Sequence, residues 1–295
     1  MTHYTRREFL KTGLAAGGLA ISGSITPGAA RQTATDWVTL GKSGVKVTRL
    51  AMGTGSFSGQ VQRDLGQDGF TRLVRHAYDN GIRFFETAES YSGMHQMLGV
   101  ALKGIPRDSY RIMSKVTTRP GVNPQEKFDE LRRLANTEYF DIMLLHWQHD
   151  DRWVGETKRW QDGIDHFKEE KTIRANGASV HGLPALRQMP GNPWLQVAMI
   201  RMNHNGTRMD GPTYADNDNP DHVSEVVQHV HQVKKDGMGV ISMKLVGDGT
   251  FTQHSDRVAA MRSAFQTAGV DCVTVGFKNN QEIDEAIDNL NLALS

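Results

Sequence analysis

The sequence predicts an eight-stranded parallel (β/α)8 TIM barrel with a short N-terminal hairpin, the whole preceded by a signal peptide. Eight short apolar runs alternate with eight helical patterns between residues 48 and 292. Strands that alternate with helices pair in parallel through right-handed crossovers, and eight such units close into a barrel more readily than they spread as an open sheet. The competing doubly wound fold calls for a Gly-x-Gly-x-x-Gly turn after an early strand. Gly53-Thr54-Gly55 is too short to supply one.

Residues 1–30 stand outside that rhythm. They read Thr5-Arg6-Arg7-Glu8-Phe9-Leu10-Lys11, then an apolar Gly/Ala/Leu stretch, then Pro27-Gly28-Ala29-Ala30. The order basic, apolar, small is that of a twin-arginine export signal cleaved after Ala30. This implies a twin-arginine translocase as a transient partner and a periplasmic or otherwise exported destination. The apolar stretch is too short and too glycine-rich to span a bilayer, so no stable membrane anchor is expected. Without it the chain keeps 265 residues with 31 Lys/Arg and 32 Asp/Glu, a formal charge of −1. That balance gives no support to a nucleic-acid partner, and the length suits one barrel domain over 31–295. Cys272 is the only cysteine and lies in the apolar run Val270–Thr274, so it reads as core and no internal disulfide can form.

Along the barrel, Trp37–Leu40 and Val45–Val47 flank Gly41-Lys42-Ser43-Gly44 and predict the hairpin. The strands are predicted at Thr48–Met52, Phe84–Phe85, Arg111–Ser114, Phe140–Leu145, Ile173–Asn176, Val197–Arg201, Val240–Met243 and Val273–Val275. Helical spacing follows at Gly69–Asn80, His95–Lys103, Gln125–Leu134, Ile164–Glu170, Leu183–Gln188, His222–Lys235, Asp256–Ala268 and Gln281–Leu292. Longer insertions at Ser58–Gln67, Gln148–Lys158 and Asn203–Asn219 each follow a strand and belong on the rim; the last, rich in Asn, Asp and Gly, reads as a mobile loop.

Chemistry gathers at the ends of successive strands. Glu86 follows the second, Lys115 the third and His146 the fourth, with Tyr91 five residues beyond the acid. A phenol has a reference pKa of about 10, but a neighbouring ammonium stabilises its anion. An acid that holds the ammonium and an imidazole that orients a carbonyl oxygen complete a proton donor suited to aldehyde or ketone reduction. Twelve histidines, among them His146, His149, His181 and His204 at the rim, also invite a metal reading, but no His-Glu-x-x-His helix and no pair of cysteines supports one. Of Trp147, Trp153, Trp160 and Trp194, Trp147 adjoins His146 and is a candidate surface for a sugar or ring substrate.

From Val38 to Leu292 the chain resembles the aldo-keto reductases. The resemblance rests on Glu86-Thr87-Ala88-Glu89-Ser90-Tyr91-Ser92 with Leu98-Gly99-Val100-Ala101-Leu102, on Ser114-Lys115-Val116, on Asp141–His146 and on Ile173–Ser179. It implies that Tyr91 protonates the substrate oxygen, Lys115 tunes it, Glu86 braces Lys115 and His146 aligns the carbonyl, with hydride from a nicotinamide cofactor. Glu86 departs from the family's aspartate by one methylene. Ser179 matches a serine near the nicotinamide carboxamide, whereas Val180, Met199 and Met202 stand where an Asn, a Gln and a stacking Tyr are usual. The exits of the seventh and eighth strands match better, and the resemblance assigns Lys244, Leu245, Lys278, Asn279 and Glu282 to the nucleotide, Lys278 favouring NADP over NAD.

The leading expectation is an exported NADP-dependent enzyme interconverting an aldehyde, ketone or sugar with its alcohol, its NADP (NADPH) tightly retained through export. The competing expectation, motivated by Glu86, Val180, Met199 and Met202, is a barrel that has lost hydride chemistry and binds a carbohydrate or other small ligand. A non-redox lyase or isomerase using Tyr91 and Glu86 has little specific support.

Overall fold

In the computed structural model, which describes residues 31–215, 218 and 220–295, the strands close as predicted. The proposed signal peptide lies outside the described residues. A two-stranded hairpin, β1 (Trp37–Thr39) with β2 (Lys46–Thr48), comes first. The barrel follows: β3 (Leu50–Gly53), β4 (Phe84–Glu86), β5 (Arg111–Thr117), β6 (Phe140–Gln148), β7 (Ile173–Val180), β8 (Val197–Arg201), β9 (Gly239–Met243) and β10 (Cys272–Gly276). All eight pairings are parallel, and β10 returns to β3.

The helices are α1 (Gln60–Arg63), α2 (Gly66–Asp79), α3 (Met94–Ala101), α4 (Pro124–Leu134), α5 (Trp153–Glu156), α6 (Lys158–Glu169), α7 (Leu183–Leu186), α8 (Val223–Lys235), α9 (His254–Arg262) and α10 (Asn280–Ala293). α1 and α5 are single turns inside two of the loops assigned to the rim. Among the described residues no helix is long and apolar enough to cross a membrane.

Alternation along the strands sorts the core into two layers. Ala51, Phe84, Met113, Ile142, Leu144, Ala175, Val197, Met199, Ile241, Met243 and Cys272 fill the barrel together with Leu40, Val45 and Val47, so the hairpin forms its floor. The opposite faces, including Phe85, Val116, Leu145, Ala178, Ile200 and Met202, pack beneath the helices. Cys272 is therefore core, as expected. Trp153 and Trp160 are buried in the helical shell, and Trp194 bonds the Asp165 carboxylate through its indole N–H, which leaves Trp147 as the exposed one of the four.

Several strands run past their predicted ends. β5 extends to Thr117, β6 to Gln148 and β7 to Val180. The apolar run stops where the inward positions turn polar, but the backbone ladder continues, with Thr117 opposite His146 and Leu145 opposite Ala178. Lys115, His146 and Ser179 thus lie on strands rather than just beyond them.

At the other end of the barrel Asp141 ties three strands together. Its buried carboxylate accepts from Ile112 N at 2.9 Å, Arg107 Nη2 at 2.8 Å and Arg174 Nη1 at 2.9 Å. Losing one side of a buried ionic cluster leaves the other side uncompensated. Asp141→Ala is expected to lower unfolding stability by about 3 kcal/mol in urea titration; a change below about 1 kcal/mol would show that the cluster is held no more tightly than a surface ion pair.

Candidate active site

One step of the two-residue period above the apolar filling, the inward positions become Gly53, Glu86, Lys115, His146, Ser179, Arg201 and Thr274. This polar layer is the bottom of a cup at the C-terminal ends of the strands, where barrel enzymes carry their chemistry. The four residues predicted to act together do meet here.

Lys115 is buried, and its Nζ forms an ion pair with Glu86 Oε1 while donating to Thr87 O at 3.2 Å. The same ammonium lies 4.8 Å from the centre of the Tyr91 ring. The extra methylene of Glu86 is accommodated by Gly53, which sits opposite it in the β3–β4 register; a Cβ there would lie 3.0 Å from Glu86 Oε2 and 2.9 Å from Thr274 Oγ1. Glu86 therefore reaches Lys115, and the longer acid is matched by empty space on the neighbouring strand.

Tyr91 rides on the loop after β4, and that loop is tied to β5. Thr87 N donates to Met113 O at 2.9 Å, and Glu89 N to Lys115 O at 2.8 Å. The Glu89 carboxylate then accepts from Thr117 N at 3.0 Å and pairs with Arg119 and Lys127. Glu89 is a site-building residue that sequence reasoning passed over, although it falls inside the motif containing Glu86 and Tyr91. On the far side Gly55 admits the phenol, since a Cβ there would lie 2.6 Å from both Cζ and Oη of Tyr91.

The His146 ring meets Tyr91 edge-on at 5.7 Å between centroids and shares a hydrogen bond of 3.2 Å between Nδ1 and Ser90 Oγ, which leaves Nε2 for the cup. Burial, aided by the Lys115 and Lys244 ammoniums, holds its pKa well below the usual imidazole value. Burial, then Lys244, also pushes Lys115 down from the usual ammonium range. Tyr91 is pushed up, by burial first and the Asp248 carboxylate second. Both shifts favour uncharged forms, a protonated phenol beside a neutral imidazole, and the raised phenol runs against the lowering expected from a neighbouring ammonium.

The residues assigned to a nucleotide are less uniform. Ser179 is buried on the inward face, and its Oγ accepts from Trp147 N at 3.2 Å, leaving its own hydrogen free to donate. Met199 faces inward beneath it. Met202 corrects its assignment: it is wholly buried under the helices, because it sits at an outward position of the alternation, and offers no face to a ring in the cup. Leu245 and Val180 are likewise buried in the outer shell, so the Leu245 side chain is not available to a ligand. Lys244, with φ +57°, stands at the cup and is held by both carboxylate oxygens of Asp248 at 2.6 and 2.8 Å. Asn279 and Glu282 cap α10: Asn279 Oδ1 accepts from Glu282 N at 2.9 Å, and the Glu282 carboxylate accepts from Lys278 N at 2.9 Å. Glu282 also pairs with Lys278 Nζ, which remains largely exposed.

Trp147 is exposed at the rim with φ +61°, its ring 4.6 Å from His149 and 5.4 Å from Tyr214. The loop expected to be mobile is fastened in its first half, where Asn203 bonds Thr207 O and Gly206 N and the buried Asp210 pairs with Arg201. Among the described residues no cluster of His, Cys, Asp and Glu could hold a metal ion.

A closed (β/α)8 barrel whose strand ends gather a phenol, a buried lysine–carboxylate pair and a neutral imidazole belongs to the class of barrel oxidoreductases that carry a tyrosine in the cup. The sequence profile of the aldo/keto reductase family matches residues 49–291, and the chain belongs to that family. It is 32% identical over 120 residues to a 9,11-endoperoxide prostaglandin H2 reductase from Trypanosoma cruzi, covering 38% of this chain and 40% of that relative. An L-galactose dehydrogenase from Arabidopsis thaliana is 26% identical over 263 residues, 81% of this chain and 76% of the relative. The fold superposes on an aldo/keto reductase from Klebsiella pneumoniae, solved in complex with NADP and acetate, with a TM-score of 0.59 at 17% identity over 86% of this chain and 89% of that one.

Gly55→Ala would drive a methyl group into the Tyr91 ring, and a displacement of about 1 Å in a preorganised site costs on the order of 10²-fold. The expected outcome is that loss in kcat/KM with the thermal midpoint nearly unchanged; unaltered kinetics would mean that the phenol position is not what Gly55 protects.

Proposed function

We propose that the protein is an exported NADP-dependent oxidoreductase that interconverts a small aldehyde, ketone or sugar with its alcohol, Tyr91 donating the proton. The observation that carries this reading is the juxtaposition of the Tyr91 phenol with the buried Lys115–Glu86 pair on one side and His146 on the other. Such a pair is costly to bury unless it is used or fully compensated.

The residues fit a nicotinamide nucleotide, unevenly along its length. Ser179 would offer its hydroxyl hydrogen to the carboxamide, and Lys244 and Lys278, each paired with an acid in the structure, would exchange Asp248 and Glu282 for the phosphates, with the first turn of α10 adding its dipole. When bound, the nucleotide supplies or accepts hydride at the substrate carbon. The chain's own residues do the rest. His146 holds the carbonyl oxygen, Tyr91 transfers its proton to that oxygen, and Lys115 stabilises the phenolate left behind. Glu86 keeps the ammonium in place, and Trp147 offers a ring surface to the rest of the substrate. The Arabidopsis relative, an L-galactose dehydrogenase, is consistent with a sugar substrate.

Export by the twin-arginine route carries folded proteins, so the nucleotide would be loaded before translocation and retained. Met199, an inward side chain that cannot hydrogen-bond a carboxamide as the family's Gln would, favours a second reading, a ligand-binding barrel without hydride chemistry. Mass spectrometry of small molecules released by denaturing the mature exported protein separates the two. NADP at about one per chain is expected; an empty protein that also fails to bind added NADPH would favour the binding module.

The electrostatics set a pH profile. Tyr91 has a raised pKa and stays protonated above neutrality, and His146 has a lowered one and stays neutral below its usual value near 6.5. The kcat/KM for carbonyl reduction is therefore expected to show no limb at the usual imidazole value near 6.5, while the lowered pKa of Lys115 assigns any alkaline loss to its ammonium; a limb centred near 6.5 would contradict the His146 assignment.

A further inference from the structure

Several polar atoms beside the proton-donor set are sealed from solvent without a hydrogen-bond partner, among them Nε2 of His181, Nη2 of Arg201 and Oδ2 of Asp210. Arg201 pairs with Asp210, and the Arg201 charge bears on the His181 ring, so these three side chains share one patch. Asp210 Oδ1 accepts both Arg201 Nε at 2.6 Å and Gly182 N at 2.7 Å, while His181 N donates to Gln148 O at 2.7 Å. The backbone around His181 is thus pinned while its ring is not. That ring lies edge-on to His146, 6.3 Å between centroids.

Leaving a buried polar group unpaired costs stability, and such groups recur where a ligand completes them. The chemistry of the patch selects the ligand. Arg201 is already neutralised by Asp210, so an anion gains little; a donor and an acceptor next to a ring nitrogen suit a hydroxyl, which donates and accepts at once. The His181 ring stands 6.3 Å from the His146 ring assigned to the carbonyl, a separation that fits a hydroxyl on a neighbouring carbon. Trp147, His149 and Tyr214 stand at the rim as an aromatic wall able to cover the C–H face of such a substrate.

We propose that His181, backed by the Arg201–Asp210 pair, is a specificity-determining residue that binds a hydroxyl on the carbon next to the reacting carbonyl. The substrate class it selects is an α-hydroxy carbonyl compound. This rests on the carbonyl–alcohol reading of the site.

Glyceraldehyde and propanal are matched three-carbon aldehydes with and without the hydroxyls. With the full chain and NADPH, the protein is expected to prefer glyceraldehyde, and His181→Phe to reduce that preference about 10- to 100-fold. The kcat/KM for propanal and the Kd for NADPH should stay within about twofold, and His181→Gln should restore part of the preference. Equal losses on both aldehydes, an altered NADPH affinity or an unchanged preference would each overturn the proposal. If the protein turns over neither aldehyde, the carbonyl–alcohol reading falls, and saturation-transfer NMR with glyceraldehyde decides on His181. A binding signal lost in His181→Phe keeps the subsite; a signal that is absent or unaltered removes it. Should His181→Phe not fold, the same comparisons are read from His181→Gln.

Discussion

A lysine ammonium buried inside a barrel must be answered from within the barrel, and much of the upper layer follows from that requirement. Lys115 is answered by Glu86 from the neighbouring strand, and Glu86 fits because the next strand offers Gly53 opposite it. The ammonium then lies near the Tyr91 ring, on a loop laced to β5 by Glu89. Each contact presupposes the parallel register of β3, β4 and β5. Burial works against both groups: it pushes the Lys115 ammonium down and the Tyr91 phenol up, so the Glu86 carboxylate is what answers the charge.

Much of this was legible in the sequence, for identifiable reasons. Parallel strands buried on both faces give continuous apolar runs, so β6 and β8 stood out, and the crossover helices showed their period. Glu86, Lys115 and His146 were found because each falls at the end of such a run, and Tyr91 by its place five residues beyond Glu86. What was missed follows from the same physics. A run of apolar letters ends where inward residues become polar, so the ladders of β5, β6 and β7 appeared too short. Which face a residue occupies depends on register, and Met202 was placed in the cup although the alternation turns it outward. Gly53, Gly55 and Glu89 carry no motif of their own; their importance lies in what stands next to them in space.

The rim also stores conformational strain. Trp147, Lys244 and Asp248 all have positive φ without being glycine, and so do Phe57 and Ser58 in the loop after β3. Such geometry costs of order 1–3 kcal/mol for each residue and persists where surroundings enforce it. At Trp147 the enforcing contact is Ser179, which takes the backbone N–H. At Lys244 and Asp248 it is their mutual ion pair. The aromatic wall and the cationic side of the cup are therefore held in place by side-chain contacts rather than by their own backbone preferences.

The floor has a consequence of another kind. Because Leu40, Val45 and Val47 from the hairpin seal the lower end of the barrel, the cup is a vessel with a single mouth. Any ligand of that cup enters and leaves at the C-terminal ends of the strands, because the lower end is closed by the packed side chains of the barrel and by a hairpin at the opposite end from the chemistry.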